Sequence, residues 1–295
     1  MPDRLQGLIQ HLAQTTGHTL KQSRLTSLGG GDINSAYRLQ SQGIDWFIKV
    51  NRAELADMFA AEAAGLTEFA AIGAIRIPNV VCHGQHQHYA YLVLEHIELR
   101  SLSSDAAALF GEQLACMHRQ PQAYFGWKID NTIGSTPQYN PRYRDWVEFW
   151  RDQRLGKQLQ FAAENGYCGA LQNQGEQLLD RLDGLFGDYR PHPSMLHGDL
   201  WGGNAAADSQ GKPVMFDPAS YYGDREADIA MTELFGGFGR EFYAGYQAHY
   251  RLDAGYPVRK TLYNLYHILN HLNLFGSSYL NQATRMTGQL LAELK

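Results

Sequence analysis

Residues 197–204 read HGDLWGGN. Asp199 is followed five residues later by the amide Asn204, with two glycines between them. A carboxylate there can accept a proton, and an amide oxygen can face a cation. Eighteen residues after Asp199 a second carboxylate, Asp217, ends the apolar run VMFD. Mg2+ takes oxygen ligands, and few of them from protein where phosphates and water supply the rest. Asn204 and Asp217 would make such a pair. Upstream, Lys49 stands inside WFIKV, where an unpaired buried ammonium would be costly. Glu62, thirteen residues on, falls on the next helical pattern and could be its partner.

The segment GGGDINS, residues 29–35, places three glycines between two strand patterns. Without Cβ atoms, backbone N–H groups there can turn towards a phosphate. It is not a GxxxxGK[ST] phosphate loop, and no helix follows it. Each feature alone has a plainer reading: a glycine hairpin, an edge lysine, a strand-end turn before Pro218. In this order they match kinase chemistry: glycine hairpin, strand lysine, helix glutamate, the H-x-D-x-x-x-x-N spacing of a catalytic loop, and a later metal-binding aspartate.

Elements must hold these residues in place. MPDRLQGLIQHLAQ reads as a short amphipathic helix without the apolar core of a signal peptide. Strand patterns follow in LTSLGGGDINSAYRLQ, IDWFIKV, IRIPNVVCHG and HYAYLVLEHI, giving five strands. Between them, Leu55, Phe59, Ala63, Leu66 and Phe69 recur at helical spacing. From Glu95 to Ser101 the pattern turns helical, with helices predicted at DAAALFGEQLACMHR, RDWVEFWRDQRLGKQLQFAAE (Trp146, Phe149 and Trp150 forming a buried stripe), GEQLLDRLDGLFG, READIAMTELFGGF, REFYAGYQAHY, TLYNLYHILNHLNLF and ATRMTGQLLAEL. The expectation is an α+β fold of two lobes: residues 1–97 with a five-stranded antiparallel sheet and one helix, and a larger, mainly helical 98–295.

Of the 295 residues, 44% are hydrophobic and 19% charged, with a formal charge of −5. That fits a folded globule and lacks the basic excess that nucleic-acid binding needs. The three cysteines, Cys82, Cys116 and Cys168, form neither a CxxC pair nor a disulfide framework. No run of 18 apolar residues offers a membrane span. A cytoplasmic protein is expected, monomeric or weakly dimeric, without nucleic-acid or membrane partners.

The segments GGGDINSAYR, WFIKV, LVLE, FGWKIDNTIGSTPQYN, HGDLWGGNAA, FDPASYYGDREADIAMTELFGGF and LYHILNHLNLFG span nearly the whole chain. Through them it resembles the fructosamine kinase (ketosamine 3-kinase) family, a branch of the protein-kinase-like fold shared with aminoglycoside and choline phosphotransferases. The resemblance implies ATP and Mg2+ as cofactors and a small-molecule or protein-bound ketosamine, phosphorylated on its 3-hydroxyl, as substrate. It implies that Gly29, Gly30, Gly31, Asp32, Ile33, Asn34 and Ser35 cover the ATP phosphates, with Lys49 on them and paired to Glu62. Glu95, His96 and Ile97 would form the hinge that meets adenine. Asp199 would be the base, Asn204 and Asp217 the metal ligands, and Asp228, with His197, the support of the catalytic loop.

Two departures stand out. Gly202 replaces the family's usual serine, and Asp32 stands where some eukaryotic relatives carry cysteine, so thiol control through that loop is not expected. For substrate, Trp201 could stack on a sugar or pack beneath its loop. Asp130, Asn131, Gln138 and Asn140 could read hydroxyls or form a solvated Asx-turn loop. His271, with His267 and Asn270, could touch substrate or serve the core. An aminoglycoside or choline kinase is the same-fold alternative, though the 126–140 loop is only mildly acidic for the former. A nucleotide-binding pseudokinase would ordinarily lose Lys49, Asp199 or Asp217, and all three are present. No A-P-E segment follows Asp217 to suggest a protein kinase.

Overall fold

The computed structural model describes residues 5–29 and 34–294. Its chain divides into two compact units, Met1–Ser101 with Ala206–Asp217, and Leu102–Ala205 with Pro218–Lys295. The first unit opens with α1 (Gln6–Thr16), then β1 (Arg24–Leu28), β2 (Ser35–Ser41) and β3 (Ile44–Arg52). After α2 (Ala56–Ile72) come β4 (Val80–His86) and β5 (Tyr89–Glu95). All five strands pair antiparallel in the order β1-β2-β3-β5-β4.

Alternation along β3 decides where its lysine goes. Trp46, Ile48 and Val50 turn to one face and pack with Leu8 and Leu12 of α1, Leu39 of β2, and Tyr91 and Val93 of β5. A period of two sends Lys49 to the opposite face, the side on which α2 buries Phe59, Ala63, Leu66 and Phe69. Leu55, placed on the same stripe by sequence, lies in a 3-10 turn just before the helix.

The second unit begins with α3 (Ser104–His118), whose Ser103 side chain caps the helix by accepting the Ala106 N–H. A short hairpin, β6 (Asn131–Ile133) and β7 (Thr136–Gln138), precedes a long helix in three parts. These are α4 (Trp146–Phe149), a π-helical segment Trp150–Leu155, and α5 (Gly156–Glu164). Next are α6 (Ala170–Asp180) and β8 (Ser194–Leu196). After β9 (Ala205–Ala207) and β10 (Pro213–Met215), β11 (Tyr221–Gly223) pairs with β8. The chain ends in α7 (Glu226–Leu234), α8 (Arg240–His249), α9 (Tyr256–Phe275) and α10 (Leu280–Glu293). No helix among the described residues is long and apolar enough to cross a membrane.

The division at residue 97 predicted from sequence omits one segment. Residues 206–217 join the first unit because their backbone bonds there: the Arg100 and Ala207 N–H groups each donate to the other residue's carbonyl at 2.8 Å, and the Met215 N–H donates to the Arg76 carbonyl at 3.1 Å. Asp208, buried in the β9–β10 turn, accepts the Gln210 and Lys212 N–H groups and pairs with Arg76.

Candidate active site

In the first unit, Lys49 donates to Glu62 Oε1 at 2.8 Å and also to Asp217 Oδ1. Glu62 reaches it because helical spacing puts positions 59, 62, 63 and 66 on one face of α2. Burial alone would lower the Lys49 ammonium, but the Glu62 and Asp217 carboxylates outweigh it and hold the charge on. Burial raises the Glu62 carboxyl, against the pull of Lys49. Asp217 is one of three non-glycine residues with positive φ among those described, at 57°. Its position before Pro218 would ordinarily favour extended backbone. Such conformations concentrate at functional sites, where the surroundings hold them.

The second unit builds the loop 197–204. Asp228, at the start of α7, accepts the His197 N–H at 2.7 Å and the Gly198 N–H at 2.8 Å. Burial would raise this carboxyl; the bonds and charges around it, His118 foremost, win and hold it below the usual carboxylate range. His118 Nε2 lies 3.3 Å from Asp228 and Nδ1 lies 2.9 Å from the Tyr246 hydroxyl. Burial lowers the His118 imidazole, and a neutral ring with Nε2–H donating and Nδ1 accepting satisfies both partners. His197 Nδ1 accepts the Asp199 N–H at 3.3 Å, and Leu200 is fully buried beneath the loop.

Two glycines permit this path. Gly198 has φ +80°, and a Cβ there would lie 2.1 Å from the Ala219 carbonyl oxygen. A Cβ on Gly203 would strike the Trp201 ring at 2.3 Å. Asn204 closes the loop: its Nδ2 donates to the Asp199 carbonyl at 2.8 Å and to Asp199 Oδ2 at 3.1 Å.

Gly30, Gly31, Asp32 and Ile33 lie outside the described residues. Gly29 follows β1 and Ser35 opens β2, while Asn34 accepts from Asn51 Nδ2 at 2.7 Å. At the expected hinge, the Glu95 N–H donates to the Asn79 carbonyl and the His96 N–H to the Asp45 carbonyl. Of these three N–H groups, only that of Ile97 makes no bond among the described residues. Trp201 is 41% exposed, so it is not a tryptophan packed beneath its loop.

The substrate expectation for two amides, Gln138 and Asn140, is corrected. Gln138 and Asn140 are each 2% exposed, and both are committed to protein partners. Gln138 Nε2 donates to Asn131 Oδ1 and the Ala219 carbonyl, and its Oε1 accepts from Tyr266. Asn140 donates to Asn131 Oδ1 and the Ile129 carbonyl, and Asn131 Nδ2 donates to the Ser220 carbonyl. Asp130 is exposed, with Oδ1 accepting the Asn140 N–H at 2.7 Å. His271 donates Nδ1–H to the His267 carbonyl, and its ring meets Phe235, Phe275 and Tyr279.

Two fully buried polar residues, His118 and Arg154, escaped sequence reading. His118 ends α3 with nothing in its neighbours to mark it. Arg154 does leave a signal: four residues after Trp150, it is a cation in the apolar stripe.

The donor chemistry fits Mg2+. Asn204 turns both amide hydrogens to Asp199, which leaves Oδ1 as its uncommitted oxygen among the described residues. Asp217 offers a half-exposed carboxylate. No cluster of three or more His, Cys, Asp or Glu among the described residues could hold a metal alone.

The model of the family described as Fructosamine kinase matches residues 5–293. A Synechocystis sp. protein named as a probable ketoamine kinase is 44% identical, covering 98% of each chain. The Arabidopsis thaliana "Protein-ribulosamine 3-kinase, chloroplastic" is 40% identical over 95% of this chain and 86% of its own. A crystal structure of a Haemophilus somnus 129PT protein described as "Putative fructosamine-3-kinase" matches with TM-score 0.88 and 30% identity, covering 97% of both chains. Aminoglycoside phosphotransferase APH(4)-Ia, 15% identical with TM-score 0.64, shares the fold, a two-lobed protein-kinase-like one. With its family model matched almost end to end and these relatives aligned over nearly its full length, the chain belongs to the fructosamine kinase family.

Proposed function

We propose that this protein is an ATP-dependent kinase that transfers the γ-phosphoryl group of ATP to the 3-hydroxyl of ketosamines, the adducts left when sugars glycate amines. Relatives named for ketoamine and protein-ribulosamine kinase activity support the substrate class. The observation that carries the chemistry is the Asp199–Asn204 lock, which fixes a carboxylate on a loop braced from behind by Asp228. Asp199 would orient the acceptor hydroxyl and take its proton late in the transfer. Lys49, kept charged by Glu62, would hold the α- and β-phosphates, with glycine-loop backbone N–H groups above them. The Ile97 N–H is the hinge donor left to meet adenine.

Asn204 Oδ1 and Asp217 would hold Mg2+, which when bound offsets charge on the phosphates and helps to align them. Trp201, exposed on the loop, would stack on the sugar or on the amine's substituent. The 3-phosphate product enolises towards C1, which puts phosphate in an allylic position; its elimination and hydrolysis free the amine. We place the enzyme in the cytoplasm, acting on free or protein-bound ketosamines. ATP consumption against ribulosamines, fructosamines, choline and aminoglycosides tests the reading. Turnover should be confined to the ketosamines, and none on any of them would overturn it.

A further inference from the structure

Arg154 is fully buried in the π-helical segment, yet no carboxylate pairs with it among the described residues. Its Nη1 donates to the Tyr139 carbonyl at 2.7 Å and its Nη2 to Asn140 Oδ1 at 2.6 Å, while Nε has no hydrogen-bond partner among the described residues. The guanidinium lies 4.1 Å from the Tyr221 ring centroid and 4.6 Å from that of Phe149. Burying an unneutralised cation is costly. A packing role alone would be served by an apolar side chain of similar length, so the retained charge and its directed bonds point to a task.

From Arg154 the bonds run in one direction. Asn140 passes to Asn131 at 3.1 Å, Gln138 joins at 2.8 Å and reaches the Ala219 carbonyl at 3.1 Å, and Asn131 reaches the Ser220 carbonyl at 2.8 Å. The Ala219 N–H then donates to the His197 carbonyl at 2.8 Å, two residues before Asp199. Ala219 is also the residue whose carbonyl leaves no room for a Cβ on Gly198. Tyr266 donates to Gln138 Oε1 and so fixes which way that amide points.

We infer that Arg154, Asn140, Asn131 and Gln138 are positioning residues: a hydrogen-bond chain, buried except at half-buried Asn131, that sets the 219–220 backbone, and through it the register of the loop carrying Asp199. The inference rests on Asp199 being the base of the reaction proposed above. The amides thus serve the reaction from behind the loop.

Arg154→Met and Gln138→Met remove the bonds at two ends of the chain while keeping length and apolar packing. Misplacing a reacting group by about 1 Å from a distance can cost on the order of 100-fold. Each variant should lose roughly 10- to 100-fold in kcat on a ketosamine, with KM for ATP within about twofold of wild type. Losses through one chain are non-additive, so the double variant should fall no further than the worse single one. Arg154→Lys, which keeps a donor and the charge, should recover part of the loss.

A second readout is independent of substrate. Among the five tryptophans only Trp201 is exposed; Trp46, the next, is 6% exposed. Acrylamide quenching therefore reports the catalytic loop, and its quenching constant should rise in both Met variants. If Arg154→Met fails to fold, Gln138→Met carries both measurements. Unchanged quenching with kcat within twofold in folded Gln138→Met would overturn the inference, as would fully multiplicative losses in the double variant. A wild-type enzyme inactive on every ketosamine would instead refute the proposed reaction, and the quenching comparison would still decide the positioning role.

Discussion

Asn204 shows why an amide, rather than a second acid, stands at its position. Both Nδ2 hydrogens point at Asp199, whereas an aspartate at 204 would set two carboxylates against each other. The bond to the backbone carbonyl persists whatever happens to the Asp199 charge, which makes Asp199→Asn a clean probe. A positioned base contributes about 10²- to 10⁴-fold, so kcat in Asp199→Asn should fall by roughly that factor. Nucleotide affinity, read by titration calorimetry, should stay within a few fold. Asp217→Ala should differ by weakening Mg2+–ATP binding as well as rate, because that carboxylate neighbours Lys49 and is proposed to face the metal. Near-normal turnover in the first variant, or unchanged Mg2+–ATP affinity in the second, would refute the role concerned.

At the scale of elements, α3 and α8 touch backbone to backbone. A Cβ on Gly111 would sit 2.0 Å from the Phe242 carbonyl oxygen, and one on Gly245 would sit 2.3 Å from that of Ala108. Backbone yields less than a side-chain tip, so Gly111→Ala should cost about 1–3 kcal/mol, nearer the upper value. For a unit of this size each kcal/mol lowers Tm by roughly 2–4 °C, and a thermal melt within about 1 °C of wild type would disprove the close packing. The periodic elements were legible in the sequence for the same reason that they pack: α2 repeats its apolar face, and β3 alternates around Lys49. What periodicity could not reach is of two kinds. Strands of three residues, such as β6, β7, β8 and β11, are too short to show a period. The second kind is partnership: the amides at 131, 138 and 140 have the composition of a solvated loop, and only tertiary contacts turn them into a hydrogen-bonded chain.

For the whole molecule, the histidines make stability depend on pH. Burial pushes the His267 imidazole down to about 3, with the charge of neighbouring His271 adding to the effect. Burial likewise lowers His118. Above an unfolded-state value of about 6.5 these rings are neutral in both states and contribute no pH dependence. Below it the unfolded chain binds protons that the folded one refuses, so stability falls with pH. For His267 the loss should be about 1.4 kcal/mol per pH unit, continuing to about pH 3. Asp228 adds to the acid limb lower down, since its depressed carboxyl contributes stability that is present above about 3.9 and disappears as pH falls through its folded value. Replacing His267 with leucine removes one proton-binding site from the unfolded state. Between pH 7.5 and 5.0, urea unfolding should therefore show His267→Leu losing roughly 2 kcal/mol less than wild type. Equal losses in the two proteins would mean that the buried imidazole does not govern this limb.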